Sequence, residues 1–156
     1  MKTKYFALIA LSIFALALTA CKDEPDNNTP PPKPIEVTFN VPAECANLNK
    51  TKPITIIFPA TFTDTARQNT IKGKFVDAMP ILNNKAGIDS GFQGKINAIL
   101  VRGLKLTIVE TSKVGDGMKV VDNQLVIESV WIEGVDSSNV GIAGAIIWFI
   151  DNNQLQ

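Results

Sequence analysis

The chain has 156 residues, is 46% hydrophobic, and balances 15 Lys and Arg residues against 15 Asp and Glu residues. A chain without excess positive charge does not build the basic surface that nucleic-acid binding requires, so we expect no nucleic-acid partner. The chain contains no histidine, which excludes His-dependent catalytic triads and histidine-ligated metal sites. Its length corresponds to one domain.

The first 21 residues have a distinct pattern. Lys2 and Lys4 precede an apolar stretch from Tyr5 to Leu18, which ends in Leu18-Thr19-Ala20-Cys21. A stretch of this length is shorter than the roughly 20 residues of a spanning helix, and the lysines favour a cytoplasmic start. The pattern resembles the signal peptide of bacterial lipoproteins. This resemblance implies that residues 1–20 are removed, and that lipid on Cys21 anchors the protein to a membrane outside the cytoplasm.

Two short motifs point to a particular envelope. Lys22-Asp23-Glu24 resembles the surface-export signal of Bacteroidota lipoproteins, which implies an outer-membrane protein displayed on the cell surface. A periplasm-facing position in the same membrane is the alternative. Asp64-Thr65-Ala66 is similar to the O-glycosylation acceptor of that phylum, and this similarity implies that Thr65 carries a sugar.

Residues 21–34 are expected to form a tether between the lipid and the domain. Four of the five residues from Pro30 to Pro34 are proline, which favours extended polyproline II structure and opposes sheet formation. At roughly 3.1 Å per residue, such a segment spans up to about 40 Å. The sequence therefore predicts a signal peptide over 1–20, a tether over 21–34 and a globular domain over 35–156.

The globular domain is predicted to consist of strands. Apolar residues alternate with polar ones, or form short apolar runs between Gly, Asn and Asp residues, as strands do. Asp122-Asn123 tolerates positive φ and predicts a two-residue hairpin turn. These patterns predict an all-β fold, an antiparallel β-sandwich of seven or eight strands, with a small β-barrel as the alternative. The predicted strands are 35–41, 54–58, 70–77, 94–101, 104–108, 118–121, 125–132 and 140–150.

The carboxylates are the candidate catalytic groups of this chain, because paired carboxylates catalyse glycoside hydrolysis without histidine. Glu110, Glu128 and Glu133 each alternate with apolar neighbours, which favours the solvent face of a sheet over a catalytic pair. Asp116 and residues 151–153 offer too few oxygen ligands for a calcium site. We therefore predict no catalytic residue, no metal and no cofactor.

One thiol and two aromatic residues are expected to be structural. With Cys21 lipidated, Cys45 has no partner for a disulfide, and we predict that it is a buried small residue. Trp131 and Trp148 lie among apolar neighbours and are predicted to fill the core. Exposed, they would form the kind of platform on which sugars bind.

These observations predict a lipid-anchored binding module of the cell envelope without catalytic activity. Its partner is a protein or a glycan, bound by polar loops such as 83–85 and 89–91. A structural or assembly subunit of an envelope complex is the alternative, and it predicts an exposed apolar patch or an unpaired edge strand. A carboxylate-dependent glycan-processing enzyme is the third hypothesis.

Overall fold

A computed structural model describes residues 30–112, 115–134 and 139–156. Within it, Pro32–Gln156 form one compact unit. The lipoprotein signal ending in Leu18-Thr19-Ala20-Cys21 and the motif Lys22-Asp23-Glu24 lie outside the described residues. They remain predictions from the sequence.

The sheet is mixed and has five strands in the order β1-β2-β3-β5-β4. The strands are β1 (Ile35–Phe39), β2 (Ile54–Phe58), β3 (Lys105–Val109), β4 (Met118–Val121) and β5 (Gln124–Glu128). The β2–β3 and β3–β5 pairs are parallel, whereas the outer pairs β1–β2 and β4–β5 are antiparallel. The prediction of an all-β antiparallel sandwich, and of a barrel as its alternative, is therefore wrong.

Four helices complete the described fold. They are α1 (Thr65–Ile88), α2 (Ser90–Arg102), α3 (Ser129–Gly134) and α4 (Asn139–Asp151). The predicted strands 70–77, 94–101 and 140–150 lie inside helices, and the second half of 125–132 is α3. The other strand predictions are confirmed, as is the turn at Asp122-Asn123, where both residues have positive φ.

Helical spacing of buried residues explains the error. Alternation over a few residues suggested strands, but over a longer window the buried positions recur every three or four residues, as on one face of a helix. The Asp64 carboxylate also caps α1 by accepting bonds from the backbone N–H groups of Ala66 and Arg67, at 2.9 and 3.1 Å, which starts a helix and not a strand. The buried residues of α1 are Gln68, Ile71, Phe75, Ala78, Met79, Leu82 and Ala86.

The core lies between the helices and one face of the sheet. Ile54, Ile56 and Phe58 of β2 are fully buried, whereas Thr55 and Ile57 on the opposite face are only partly buried. Helices and sheet thus form two layers, with the second sheet face less covered than the first. Among the described helices, none is long and apolar enough to cross a membrane.

Three asparagines fix the segment between β1 and β2. The backbone N–H of Asn47 donates to Asn83 Oδ1 at 2.8 Å, and Asn97 Nδ2 donates to the Asn47 carbonyl at 3.1 Å. The predicted loop 83–85 is part of α1, and of the predicted loop 89–91 only Asp89 lies between the helices, where it caps α2, which begins at Ser90. Cys45 is buried as predicted, and burial raises the pKa of its thiol.

Candidate functional site

The carboxyl ends of β2, β3 and β5 meet at one edge of the sheet, because these three strands run parallel. In α/β proteins this edge is where ligands commonly bind. The residues that follow the strands include Thr61, Glu110 and the short helix α3. Their side chains form the first of two candidate sites.

Arg67, in the first turn of α1, holds this first group together. Its Nε and Nη2 donate to the two carboxylate oxygens of Glu133 at 2.7 and 2.9 Å, and its Nη1 lies 3.8 Å from Glu110 Oε1. Thr61 Oγ1 donates to Glu110 Oε2 at 3.2 Å. The guanidinium also lies over the Phe62 ring, 4.3 Å from its centroid. We call Thr61, Arg67, Glu110 and Glu133 the ionic cluster.

The ionic cluster brings together two of the three carboxylates that the sequence suggested. The pKa of Arg67 is raised, chiefly by its hydrogen bond to Glu133, so the guanidinium stays charged between them. Glu128 is elsewhere and accepts a bond from the Gly115 backbone N–H at 2.7 Å. Glu133 lies in α3, so its predicted place on the solvent face of a strand is wrong. Both carboxylates of the cluster therefore have hydrogen-bond or ion-pair partners within the chain.

One polar group near the cluster is unsatisfied. Thr111 follows Glu110, and its Oγ1 is buried with no hydrogen-bond partner in the described structure. Its backbone N–H donates to Ser129 Oγ at 3.2 Å. Thr65, the predicted sugar acceptor, is exposed as the first residue of α1, and its glycosylation remains a prediction.

The second group is a cleft beside the edge strand β4. It encloses about 330 Å³ and is lined by Asp116, Met118, Trp131, Ala145, Trp148 and Phe149. We call these six residues the aromatic cleft. It contains both tryptophans of the chain.

Gly117 determines where Trp131 lies. Its φ of +70° is in the region that favours glycine, and a Cβ atom there would lie 2.7 Å from Trp131 Cδ1. The indole therefore packs directly on the backbone at the start of β4. The Gly117 carbonyl accepts a bond from the Glu128 backbone N–H at 2.8 Å, which fixes this backbone to β5.

Trp148 lies on the side of α4 that does not face the core. The buried residues of α4 are Ile142, Ala143, Ile146, Phe149 and Ile150. Trp148 is 52% exposed and contacts Phe149 edge to face, with ring centroids 5.2 Å apart. The prediction that Trp148 fills the core is therefore wrong, while Trp131 is partly buried against the core.

Sequence reasoning missed the aromatic cleft because it treated 140–150 as a strand. The sequence of that segment also contains signals against a strand, because Gly141 and Gly144 are poor strand residues. In a helix, Ile142 and Ile146 lie on one apolar face, and Trp148 lies outside it. The sequence therefore indicates the position of Trp148, but only when the segment is analysed with the helical period of about 3.6 residues and not with the strand period of two.

A second hollow of about 260 Å³ lies at the opposite end of the sheet, near the β4–β5 turn, with Arg102, Lys105 and Asp122 among its lining residues. There, Asn123 Oδ1 accepts from the backbone N–H of Gln156 at 2.8 Å. Its lining is more polar than apolar, and the chain supplies its own hydrogen bonds across it. It therefore offers less to a ligand than the aromatic cleft does.

In the residues that the structure describes, no three His, Cys, Asp or Glu side chains come together as a metal site would require. Comparison of the chain with protein-family models, with curated proteins and with solved structures finds no match.

Proposed function

We propose that this protein is a lipid-anchored binding module of the cell envelope, without catalytic activity, and that the aromatic cleft is its binding site. The observation that carries the proposal is the exposure of Trp148, next to Trp131 in a cleft of about 330 Å³. Tryptophan is enriched at the residues that dominate binding energy in interfaces.

Covering Trp148 would contribute favourably to the free energy of binding. A tryptophan side chain buries roughly 150–250 Å² when covered, so a ligand can cover about 100 Å² of the half-exposed Trp148. At about 25 cal/mol per Å² this contributes about 2.5 kcal/mol, or roughly fifty-fold in affinity. Neither indole N–H donates a hydrogen bond within the described part of the chain.

The ionic cluster supports the noncatalytic part of the proposal. Glu110 and Glu133, the carboxylates best placed to act as a pair, are both engaged with Arg67. The sequence offers no histidine to replace them.

The binding site is tested by photo-crosslinking in intact cells. A photoreactive amino acid is placed at Asp116, an exposed residue of the cleft, in one variant and at Ile88 in the control, because Ile88 is 87% exposed and lies outside the cleft. We expect a discrete crosslinked product only at position 116, and added glycans should reduce it if the partner is a glycan. Equal crosslinking at both positions, or none at either, contradicts the proposal.

The anchor is tested separately. Cys21→Ala should release the protein from the membrane fraction and abolish labelling by a fatty-acid analogue. Protease treatment of intact cells then distinguishes surface display, in which the domain is removed, from a periplasm-facing position, in which it survives. Retention of Cys21→Ala in the membrane contradicts the lipid anchor.

The alternative function, an assembly subunit of an envelope complex, is favoured by one observation: β4 is an outer strand of the sheet beside an exposed tryptophan. It predicts that the protein co-purifies in a fixed stoichiometric complex from solubilised membranes. A protein that purifies alone and binds its ligand reversibly excludes this alternative.

A further inference from the structure

The backbone of β4 offers hydrogen-bonding groups at its outer edge. The Gly117–Glu128 pair is bonded, through the Glu128 N–H and the Gly117 carbonyl at 2.8 Å. Residue pairs of an antiparallel ladder alternate between hydrogen-bonded and non-hydrogen-bonded. In the register of β4 and β5, Lys119 and Val121 therefore bond to β5 whereas Met118 and Val120 do not. The N–H and C=O of Val120, and the C=O of Met118, therefore point away from the sheet.

The outer edge of β4 is unpaired in the described residues. Within them β4 pairs only with β5 and is the last strand of the sheet. The backbone N–H of Met118 is already bonded to the Asp116 carbonyl at 2.9 Å, which leaves the groups around Val120 as the available ones. An extended chain lying along β4 would satisfy them, as in recognition by strand addition.

The aromatic cleft lies on the helix side of this same edge. Met118 belongs to both the strand and the cleft, and Trp131 and Trp148 line the cleft with it. Side chains of a strand alternate between the two faces of a sheet. Every second side chain of an added strand would therefore point toward the cleft, and a large apolar side chain there would contact the indole rings.

The opposite face of the edge is positively charged at Lys119. This lysine is half exposed, and its partner in the described structure is the exposed Asp116 at 3.2 Å. Lys119 bonds to β5, so it forms a non-bonded, closely spaced pair with whatever residue is added opposite it. An acidic side chain is the complementary residue at that position.

The same charge disfavours a second copy of this chain as the occupant. Two β4 strands paired antiparallel about Val120 place their Lys119 residues diagonally across the new pair, within reach of each other. Lysine on an edge strand is a common protection against such self-pairing. A segment of a different protein avoids this repulsion and can place an acidic side chain opposite Lys119, in competition with Asp116.

We propose that β4 and the aromatic cleft together bind an extended peptide segment of a partner protein, which adds a sixth strand to the sheet. This segment carries an acidic side chain opposite Lys119 and a large apolar side chain that enters the cleft between Trp131 and Trp148. The inference rests on the proposed binding function and names its partner class.

The test begins with selection of random nonapeptides on the purified chain, with Trp148→Ala as counter-target and Ile88→Ala as matched control. We expect enriched peptides to combine acidic and large apolar residues, and to bind Trp148→Ala at least tenfold more weakly than Ile88→Ala. Both tryptophans line the cleft, so the intrinsic fluorescence of the protein reports binding there.

N-methylation of the enriched peptide then tests strand addition. Alternate N–H groups of a strand point to the same side, so methyl groups on one alternate set should weaken binding at least tenfold, and methyl groups on the other set should leave it within about twofold. Val120→Pro removes the outward N–H without removing a bond to β5 and should also weaken binding. Circular dichroism checks that this variant folds, and the methylated peptides provide the test if it does not.

The outcomes separate the inference from the proposed function. If both methylated peptides bind as well as the parent, strand addition is overturned while the cleft remains the site. If only glycans change the tryptophan fluorescence, or no peptide is enriched, the inference fails and the binding function stands. If enriched peptides bind Trp148→Ala and the unsubstituted chain equally, the cleft is not the site. A dimer that Val120→Pro dissociates identifies a second copy as the occupant and overturns the peptide proposal.

Discussion

The ionic cluster and the aromatic cleft share the short helix α3. They differ in whether their side chains already have interaction partners within the chain. Glu133, in the cluster, and Trp131, in the cleft, are two residues apart in α3. In the cluster each charged group has a partner within the chain. In the cleft one tryptophan remains half exposed. The charged side chains of the cluster are thus engaged with one another, whereas part of the aromatic surface of the cleft is exposed.

The same difference appears in what each region would contribute to a complex. The charges of the cluster already have bonds, so a ligand would have to replace those bonds before gaining any of its own. The cleft has no such cost, because covering an exposed indole gains burial directly.

The largest effect is expected from Gly117→Ala, at the wall of the cleft. The added Cβ would lie 2.7 Å from Trp131 Cδ1, at a φ of +70°. Positive φ and overpacking together should lower the free energy of unfolding by about 2–4 kcal/mol. The matched control is Gly73→Ala, where no atom lies within 4 Å of the new Cβ, and which should gain about 0.5–1 kcal/mol in helix propensity. Equal denaturant midpoints for the two variants would contradict the packing of Trp131 on Gly117.

The two tryptophans should differ in their effect on stability. Trp131 packs against the core, so Trp131→Ala should cost about 2 kcal/mol. Trp148 is half exposed, so Trp148→Ala should cost less than about 1 kcal/mol while losing the ligand. Urea unfolding measures both costs. A larger loss at Trp148 than at Trp131 would show that Trp148 belongs to the core.

The ionic cluster should affect stability and not binding. Arg67→Ala removes the partner of Glu133 and Glu110, so thermal stability should fall at low salt, and the deficit should shrink at high salt because exposed charges are screened. Arg67→Lys keeps the charge but loses the two-point contact with Glu133. Its thermal stability should therefore lie between that of Arg67→Ala and that of the unsubstituted chain. Differential scanning calorimetry measures the change. Lost ligand binding in a folded Arg67→Ala would place the cluster in the binding site instead.

The smallest effect concerns pH at the junction of α1 and α2. The pKa of Asp89 is lowered, first by its hydrogen bond from Lys85 and then by the Phe92 backbone N–H. A carboxylate whose pKa is lower in the folded state stabilises the fold above its unfolded pKa of about 3.9, and this stabilisation is lost as the pH falls through the folded value. Stability should therefore decline below about pH 4, less steeply in Asp89→Asn than in the unsubstituted chain. Parallel pH profiles of the two proteins would show that this contact contributes nothing.

Part of this fold could be predicted from the sequence. The strand at 54–58 and the hairpin turn at Asp122-Asn123 were predicted because their signals are local: an apolar run after a proline, and two residues that tolerate positive φ. Helices α1 and α2 were missed because short windows such as 70–77 contain β-branched and aromatic residues, whereas the helical period extends over the whole segment from Gln68 to Ala86. The parallel order of β2, β3 and β5 depends on contacts between distant segments, which no local pattern reveals.

The candidate sites were predicted unevenly for the same reason. Glu110 and Glu133 were noticed as carboxylates, but the guanidinium that joins them comes from Arg67, far away in the chain. Trp131 and Trp148 were assigned to the core because their neighbours are apolar. Which side of α4 faces the core depends on the tertiary packing of the helix, and a strand pattern cannot give it.

The central claim is that Trp148 is exposed in the free protein and covered by the ligand. Trp131→Phe leaves Trp148 as the single tryptophan of the chain, so its fluorescence quenching by acrylamide can be measured alone, before and after saturation with the captured peptide or glycan. We expect efficient quenching in the free protein and strong protection in the complex. Quenching that is weak without ligand, or that the ligand does not change, would show that the ligand does not cover an exposed Trp148.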